Sequence, residues 1–155
     1  MQIKELGHVV LYVTNLETVT NFYRDVLGFR EVDRNDGFAV FSSGRTHHEL
    51  LLIQVGGTPR PPERVRSQSG KKGVEPGLYH IGFKVADTDQ ELKEIYRHLK
   101  KHHVTIIGTG DHTVTHSIYI LDPDGNELEL YADVSDVWKK DPKSIMSLTK
   151  PLNLD

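Results

Sequence analysis

The feature that most constrains the fold of this chain is an internal repeat. The segment LGHVVLYV at residues 6–13 aligns with LYHIGFKV at residues 78–85, and the alignment pairs His8 with His80 at an offset of 72 residues. In both segments apolar residues occupy alternate positions, the period of a β-strand with one buried face. A chain that carries the same unit twice is expected to build the same supersecondary structure twice.

A helical pattern follows each of these strands. Apolar residues recur at helical spacing in both copies: Leu16, Val19, Tyr23 and Leu27 in the first, and Leu92, Ile95, Tyr96 and Leu99 in the second. The capping boxes Thr14-x-x-Glu17 and Thr88-x-x-Glu91 predict where the helices begin, to within a residue or so. Gly28 predicts the end of the first helix, because glycine readily adopts the left-handed conformation that follows many helices.

Three further strand-like runs complete each copy. They lie at roughly residues 29–34, 38–43 and 47–55 in the first copy, and at 104–108, 113–121 and 127–133 in the second. The turn sequence DPDGN at residues 122–126 joins the last two runs. The sequence therefore predicts an α+β fold of paired βαβββ modules.

The predicted layout is a single domain of 155 residues. It comprises a first module at 4–55, a linker at 56–77, a second module at 78–133 and a C-terminal tail at 134–155. Nine of the 22 linker residues are Gly or Pro, which favours a solvated connector. The tail carries four large apolar side chains and is expected to pack on the body or on a second subunit: Trp138, Ile145, Met146 and Leu148.

Composition excludes several classes of function. The net charge of −3 gives no long-range attraction for nucleic acid or anionic membranes, and no apolar run is long enough to span a bilayer. The chain begins without a continuous apolar signal segment, so a cytoplasmic location is expected. With no cysteine, a metal site would need nitrogen and oxygen ligands, and nine histidines are available.

Three residues form a candidate set of metal ligands. His8 and His80 hold equivalent positions and point away from the apolar, helix-covered strand faces. In NELELYAD, residues 126–133, Glu129 shares a strand face with Glu127 and Tyr131, and a buried carboxylate is costly without a partner. Two imidazoles and one carboxylate make the facial triad that leaves positions open on octahedral iron.

The double βαβββ pattern includes two further segments, HVVLYVTNLETVTNFYRDVLGF and DPDGNELELY. Together these features resemble the vicinal oxygen chelate superfamily over nearly all of residues 4–133. That superfamily includes glyoxalase I, fosfomycin and bleomycin resistance proteins, and extradiol ring-cleaving dioxygenases. The resemblance implies that the paired modules form a cupped mixed sheet around a divalent metal. It also implies pairing of subunits into a homo-oligomer, which we expect here.

Within the superfamily, the chain is most similar to catechol 2,3-dioxygenase-like extradiol enzymes. HHELLLIQV, residues 47–55, resembles their His-His strand, so His48 corresponds to the histidine beside the dioxygen site. Tyr119 lies ten residues before Glu129, the spacing of their active-site tyrosine, and His112 resembles their substrate-binding histidine, with His116 as the alternative.

The resemblance implies a reaction of a catechol-like diol with O2 in aromatic catabolism. His8, His80 and Glu129 would hold Fe(II), with Mn(II), Zn or Ni as other metals. His48 would act as acid and base, His112 would bind a substrate oxygen, and Tyr119 would donate a hydrogen bond to developing negative charge.

Two other classes remain open. A glyoxalase-like lyase or isomerase, or a resistance-type transferase, would use the same fold and a divalent metal. The glyoxalase branch adds a glutamate ligand on the last strand of the first unit, where Leu51 aligns with Glu129 and Glu49 fits only after a shift of two residues. A non-enzymatic binding protein of the bleomycin resistance type would lack the metal ligands.

Overall fold

A computed structural model of the chain describes residues 2–60 and 77–155. Most of the predicted linker, residues 61–76, lies outside the described residues. The chain divides into two compact units, Met1–Pro59 and Arg60–Asp155. Among the described residues, no helix has the length and apolar character needed to cross a membrane.

The N-terminal unit is a βαβββ module. Its elements are β1 (Val9–Val13), α1 (Leu16–Asn21), which continues as a π-helical turn (Phe22–Val26), then β2 (Arg30–Arg34), β3 (Phe38–Ser42) and β4 (Leu50–Gln54). The strand order is β1-β4-β3-β2; β1 pairs with β4 in parallel and the other pairs are antiparallel. The alternation expected from the sequence is confirmed on β1, where Leu11 and Val13 are buried and Val10 and Tyr12 are exposed.

The C-terminal unit repeats this arrangement. Its elements are β5 (His80–Ala86), α2 (Asp89–Lys101), β6 (Ile106–Asp111), β7 (Thr115–Leu121) and β8 (Glu127–Asp133). The order is β5-β8-β7-β6, again with one parallel pair, β5 with β8. Two four-stranded mixed sheets, each with one main helix, confirm the predicted α+β class and the βαβββ repeat.

Each main helix begins at a polar N-cap residue whose side chain accepts a backbone hydrogen bond. Asn15, not Thr14, caps α1, and its side chain accepts a hydrogen bond of 2.8 Å from the Thr18 backbone N–H. The prediction for α2 is confirmed, because Thr88 accepts a hydrogen bond of 3.2 Å from the Glu91 N–H. Gly28 follows the first helix with a φ of 78°, in the left-handed region that glycine adopts without strain.

The turn before β8 is fixed by its own side chains. Asp122 Oδ1 accepts hydrogen bonds from the backbone N–H groups of Asp124 and Asn126, at 3.0 and 2.8 Å. Gly125 supplies the positive φ, 78°, that the turn requires. Because this turn ends at Asn126, Glu127 becomes the first residue of β8.

The C-terminal tail docks on its own unit through residues other than those predicted. Lys150 and Asp111 exchange two backbone hydrogen bonds of 2.8 and 3.0 Å, which add a short antiparallel bridge to β6. Leu154 is buried. The four apolar residues expected to pack are all exposed within this chain: Trp138, Ile145, Met146 and Leu148. Within this chain the tail therefore docks through residues 149–154, and packing of the four apolar residues on a second subunit stays a prediction.

Candidate functional site

The C-terminal unit brings His80 and Glu129 together across two parallel strands. His80 opens β5, and Glu129 on β8 lies opposite Gly82, two residues further along β5. His80 Nε2 is 3.1 Å from Glu129 Oε2. A Cβ added at Gly82 would lie 3.7 Å from that oxygen, so glycine keeps the space beside the carboxylate open.

Tyr119 holds the second oxygen of Glu129. It lies directly opposite Glu129 in the β7–β8 register, and its hydroxyl donates a hydrogen bond of 2.9 Å to Glu129 Oε1. Burial, together with the negative charge of Glu129, raises the pKa of the Tyr119 hydroxyl well above its usual value. Tyr119 is therefore a protonated hydrogen-bond donor throughout the neutral pH range.

His112 extends this arrangement toward the tail. It follows β6, and its Nε2 lies 2.7 Å from the Tyr119 hydroxyl, while Thr149 Oγ1 lies 3.1 Å from its Nδ1. The single hydroxyl proton of Tyr119 goes to Glu129, so the Tyr119 oxygen accepts from His112 Nε2–H. In the neutral ring, Nδ1 of His112 then accepts from Thr149. The four groups form one directional hydrogen-bond relay that ends at the carboxylate.

Glu127 is a buried carboxylate beside the same histidine. It lies opposite His80 in the β5–β8 register, its side chain is only 5% exposed, and its Oε1 is 3.9 Å from His80 Nδ1. Burial raises the pKa of the Glu127 carboxyl, against the lowering effects of a hydrogen bond from the Tyr79 hydroxyl and of the charge of His80. His80 Nδ1 itself is buried and has no hydrogen-bond partner within residues 77–155 or 2–60.

His116, the alternative to His112, lies on the opposite face of β7. It shares that face with the buried residues Ile118 and Ile120. Its Nδ1 is 2.6 Å from Asp89 Oδ1 on α2, and its Nε2 is 3.6 Å from Asp111. The strand alternation separates His116 from Tyr119, and the structure brings His112, not His116, to the tyrosine.

The N-terminal unit brings His8 and His48 together. His8 immediately precedes β1, which begins at Val9, so this histidine is not within the strand as the sequence pattern suggested. Its ring centroid is 4.5 Å from that of His48, which also contacts His47. Burial, with the neighbouring charges of His47 and His8, lowers the pKa of His48.

The strand register places Leu51, not Glu49, at the position equivalent to Glu129. Leu51 lies opposite Val10, two residues after His8, as Glu129 lies opposite Gly82, two residues after His80. Leu51 is therefore the counterpart of Glu129, as the alignment predicted. Glu49 is engaged elsewhere: its carboxylate accepts hydrogen bonds of 2.6 Å from the Ser43 N–H and hydroxyl, and it pairs with Arg45 at 3.1 Å.

The donors of the C-terminal unit fit a metal ion. Two ligands on adjacent octahedral positions, each about 2.1 Å from the ion, lie about 3 Å apart, close to the observed 3.1 Å between His80 Nε2 and Glu129 Oε2. Among residues 2–60 and 77–155, no three His, Asp or Glu side chains form a complete metal cluster. The pair supplies two of the predicted ligands; His8 belongs to the N-terminal unit, and the triad remains a prediction.

The sequence analysis gave no role to two residues that the structure places at the site, Glu127 and Thr149. Glu127 was noted only for sharing a face with Glu129, and its position opposite His80 depends on the β5–β8 register, which the structure supplies. Thr149 has no sequence signal, because its contact with His112 joins residues 37 positions apart.

Comparison with known protein families identifies one matching family. A family model described as the Glyoxalase/Bleomycin resistance protein/Dioxygenase superfamily matches residues 5–130. The chain is 31% identical over 137 residues to a catechol-2,3-dioxygenase of Bacillus subtilis, covering 88% of this chain and 44% of that protein. It is 33% identical to biphenyl-2,3-diol 1,2-dioxygenase 3 of Rhodococcus globerulus, covering 83% of this chain and 63% of that protein.

The match covers a larger share of a third relative than of these two dioxygenases. The metallothiol transferase FosB of Staphylococcus haemolyticus is 30% identical over 131 residues, and the match covers 83% of this chain and 84% of that protein. The chain thus spans less than two thirds of the dioxygenases it matches but most of the transferase.

Solved structures share the fold. An integron cassette protein from Vibrio cholerae is 28% identical with a TM-score of 0.59, covering 85% of this chain and 97% of that one. Lactoylglutathione lyase from Agrobacterium tumefaciens has a TM-score of 0.60 at 23% identity, covering 85% and 96%.

Proposed function

The chain belongs to the Glyoxalase/Bleomycin resistance protein/Dioxygenase superfamily, and from that premise we propose that it is an extradiol ring-cleaving dioxygenase that uses Fe(II) and O2 on a catechol-like diol. The observation that carries the proposal is the relay from His112 through Tyr119 to Glu129, whose other oxygen faces His80. A carboxylate with one oxygen held by a tyrosine and the other beside an imidazole is suited to bind a metal through a single oxygen.

His8, His80 and Glu129 would hold the metal in this proposal. When bound, Fe(II) supplies the electron transfer between the diol and O2 and lowers the pKa of a diol hydroxyl that it binds. The side chains of the protein would orient the diol, move its second proton and stabilise negative charge.

Tyr119 and His112 would orient the diol and stabilise charge. The relay holds the Tyr119 oxygen in place before substrate arrives, and the hydroxyl would turn its one proton from Glu129 Oε1 to the substrate oxygen on which negative charge develops. His112 presents an N–H on the same side, and it can turn this donor from Tyr119 to a substrate oxygen while Thr149 holds the other ring nitrogen.

His48 would move the second proton. Its lowered pKa keeps the imidazole neutral near pH 7, which is the form that accepts a proton from a substrate hydroxyl and later returns it. Proton transfer of this kind typically contributes about 10²–10⁴-fold to the rate.

A second candidate function is a metal-dependent thiol transferase of the resistance type. The observation that favours it is sequence similarity, since FosB is 30% identical over 131 residues and the Bacillus catechol-2,3-dioxygenase is 31% identical over 137. A metal held by the same residues would serve either reaction, so the two candidates differ in substrate and in the need for iron and O2.

The test is ring cleavage by anaerobically purified protein. After metal analysis, the protein is loaded with Fe(II) and mixed with catechol and air, and the yellow ring-fission product is followed by absorbance. We expect colour that is lost in His80→Ala and Glu129→Ala and retained in His116→Ala, whose ring binds Asp89 on the other strand face. Bound metal without colour for any catechol, together with transfer of a thiol to fosfomycin, would establish the transferase instead.

A further inference from the structure

We propose that Glu127 is the positioning residue of His80: its carboxylate accepts the Nδ1–H of His80 and so presents the Nε2 lone pair of that ring, beside Glu129 Oε2, to the metal. The inference deepens the proposed function, because it rests on the metal site in which His80 is a ligand. Nothing in the reaction itself requires Glu127, so its role can be measured by metal binding alone.

The first support is the position of Glu127. The β5–β8 register sets Glu127 directly opposite His80, while Glu129 lies opposite Gly82, so the two carboxylates flank the same imidazole. Nε2 of His80 faces Glu129 Oε2 at 3.1 Å, and Nδ1 faces Glu127 Oε1 at 3.9 Å. Each ring nitrogen therefore has its own carboxylate.

The second support is the state of His80 Nδ1. This atom is buried and has no hydrogen-bond partner among the described residues, an arrangement that native proteins seldom leave unresolved. A side-chain movement of about 1 Å would bring Glu127 Oε1 from 3.9 Å to hydrogen-bond distance. Glu127 is the carboxylate that lies on this side of the ring.

The chemistry of a metal-bound histidine explains why that contact forms. A neutral imidazole has one N–H, and a metal at Nε2 uses the lone pair there, so the proton must reside on Nδ1. Ligating histidines almost always donate this proton to a carboxylate, a carbonyl or a water, which fixes the tautomer and the ring orientation. Glu127 is anchored for this purpose by a hydrogen bond from the Tyr79 hydroxyl, which leaves further lone pairs free.

The N-terminal unit supplies a matched control. Glu49 immediately precedes the Val9–Leu50 pair, as Glu127 immediately precedes the Ile81–Leu128 pair, so it is the counterpart of Glu127 in the repeat. Its carboxylate is committed to Ser43 and Arg45. Replacing Glu49 removes an equivalent carboxylate without removing an acceptor for His80.

The experiment compares Mn(II) and Zn(II) affinities, measured by competition with a fluorescent chelator, for Glu127→Leu, Glu127→Gln and Glu49→Gln. We expect a 10–100-fold loss of affinity in Glu127→Leu, which lacks an acceptor, and a smaller loss in Glu127→Gln, which keeps one oxygen. Glu49→Gln should bind as the unchanged chain does. Circular dichroism and the melting temperature establish that each variant is folded.

A spectroscopic signature separates positioning from general stabilisation. With ¹⁵N-labelled histidine and diamagnetic Zn(II), the His80 Nδ1–H should give a hydrogen-bonded proton resonance that Glu127→Leu loses. Unchanged metal affinity in folded Glu127→Leu, an equal loss in Glu49→Gln, or no metal binding by the unchanged chain would overturn the inference. Glu127-dependent metal binding without cleavage of any diol would keep it and reject the dioxygenase.

Discussion

The hydroxyl of Tyr119 donates a hydrogen bond of 2.9 Å to Oε1 of Glu129, the same carboxylate whose other oxygen lies 3.1 Å from His80 Nε2. The two residues lie opposite each other on β7 and β8, so the contact follows directly from the strand register. This single bond connects the candidate metal ligands to the candidate substrate-binding histidine.

Tyr119→Phe should therefore impair turnover more than stability. The substitution leaves His112 Nε2–H without its acceptor and Glu129 Oε1 without its donor, while the ring that packs beside His80 remains. We expect a fall in kcat of about 10²-fold on a cleavable diol and a loss of about 1 kcal/mol in the free energy of unfolding. Tyr12→Phe, on an exposed side chain of β1, should change neither quantity.

Thr149→Val should weaken catalysis by a smaller factor. The hydroxyl of Thr149 lies 3.1 Å from His112 Nδ1 in an exposed contact, where water can replace it. We expect kcat to fall about 2–10-fold with an unchanged melting temperature, in line with one exposed hydrogen bond of about 0.5–1.5 kcal/mol. Thr149→Ser keeps the hydroxyl and should restore the rate; an equal loss in both variants would contradict the relay.

Gly110→Ala should displace the docked tail. A Cβ at this position would lie 2.9 Å from Thr149 Cγ2 and 3.1 Å from His112 Nε2, so one of the two side chains must move. We expect about 1–2 kcal/mol of destabilisation in urea unfolding, together with a reduced rate. Gly108→Ala on the same strand is the control, because nothing lies within 4 Å of its added Cβ; equal destabilisation in this variant would refute the explanation.

Asp111 should contribute stability that depends on pH. A hydrogen bond of 2.6 Å from the Thr113 backbone N–H, and the nearby charge of His116, hold the pKa of Asp111 below its usual value against the opposing effect of burial. A lowered folded-state pKa means that this stability is fully present above the unfolded pKa of about 4 and is lost as the pH falls through the folded pKa.

Asp111→Asn tests this sign directly, since asparagine keeps an acceptor oxygen but lacks the charge. The variant should be less stable than the unchanged chain in urea at pH 6, and the difference should shrink as the pH falls below about 4. A difference that grows on acidification would contradict the assignment.

Most of the fold could be predicted because it depends on local periodicity. The alternation in residues 6–13 and 78–85, and the paired runs around the 122–126 turn, predicted strands that the structure contains to within a few residues. The exact ends of the helices and strands were less predictable than their existence. Asn15 caps the first helix in place of Thr14, and the sequence pattern did not separate the two because both residues offer a side-chain oxygen suited to an N-cap.

The site residues divide into those that local pattern and family spacing identified and those that depended on strand parity. Glu129 was found from the strand face that it shares with Glu127 and Tyr131, and Tyr119 from the ten-residue spacing that the family resemblance supplies. The β7–β8 register places these two residues opposite each other. The choice between His112 and His116 stayed open, although the parity of β7 places His116 with Ile118 and Ile120, on the face away from Tyr119. The start of that strand, which sets the parity, was not known.

The sequence by itself determined the repeated βαβββ units, the buried faces of the strands at residues 6–13 and 78–85, and the equivalence of His8 and His80 in the repeat. The tertiary structure alone decided that His112 receives Thr149 from the tail, that Asp89 takes His116, and that Glu127 flanks His80. The physical reason is the separation in sequence of the residues that make these contacts. Periodicity reports the environment of each residue, whereas these contacts join residues 27 to 47 positions apart, with directions set by the completed sheet, its helix and its docked tail.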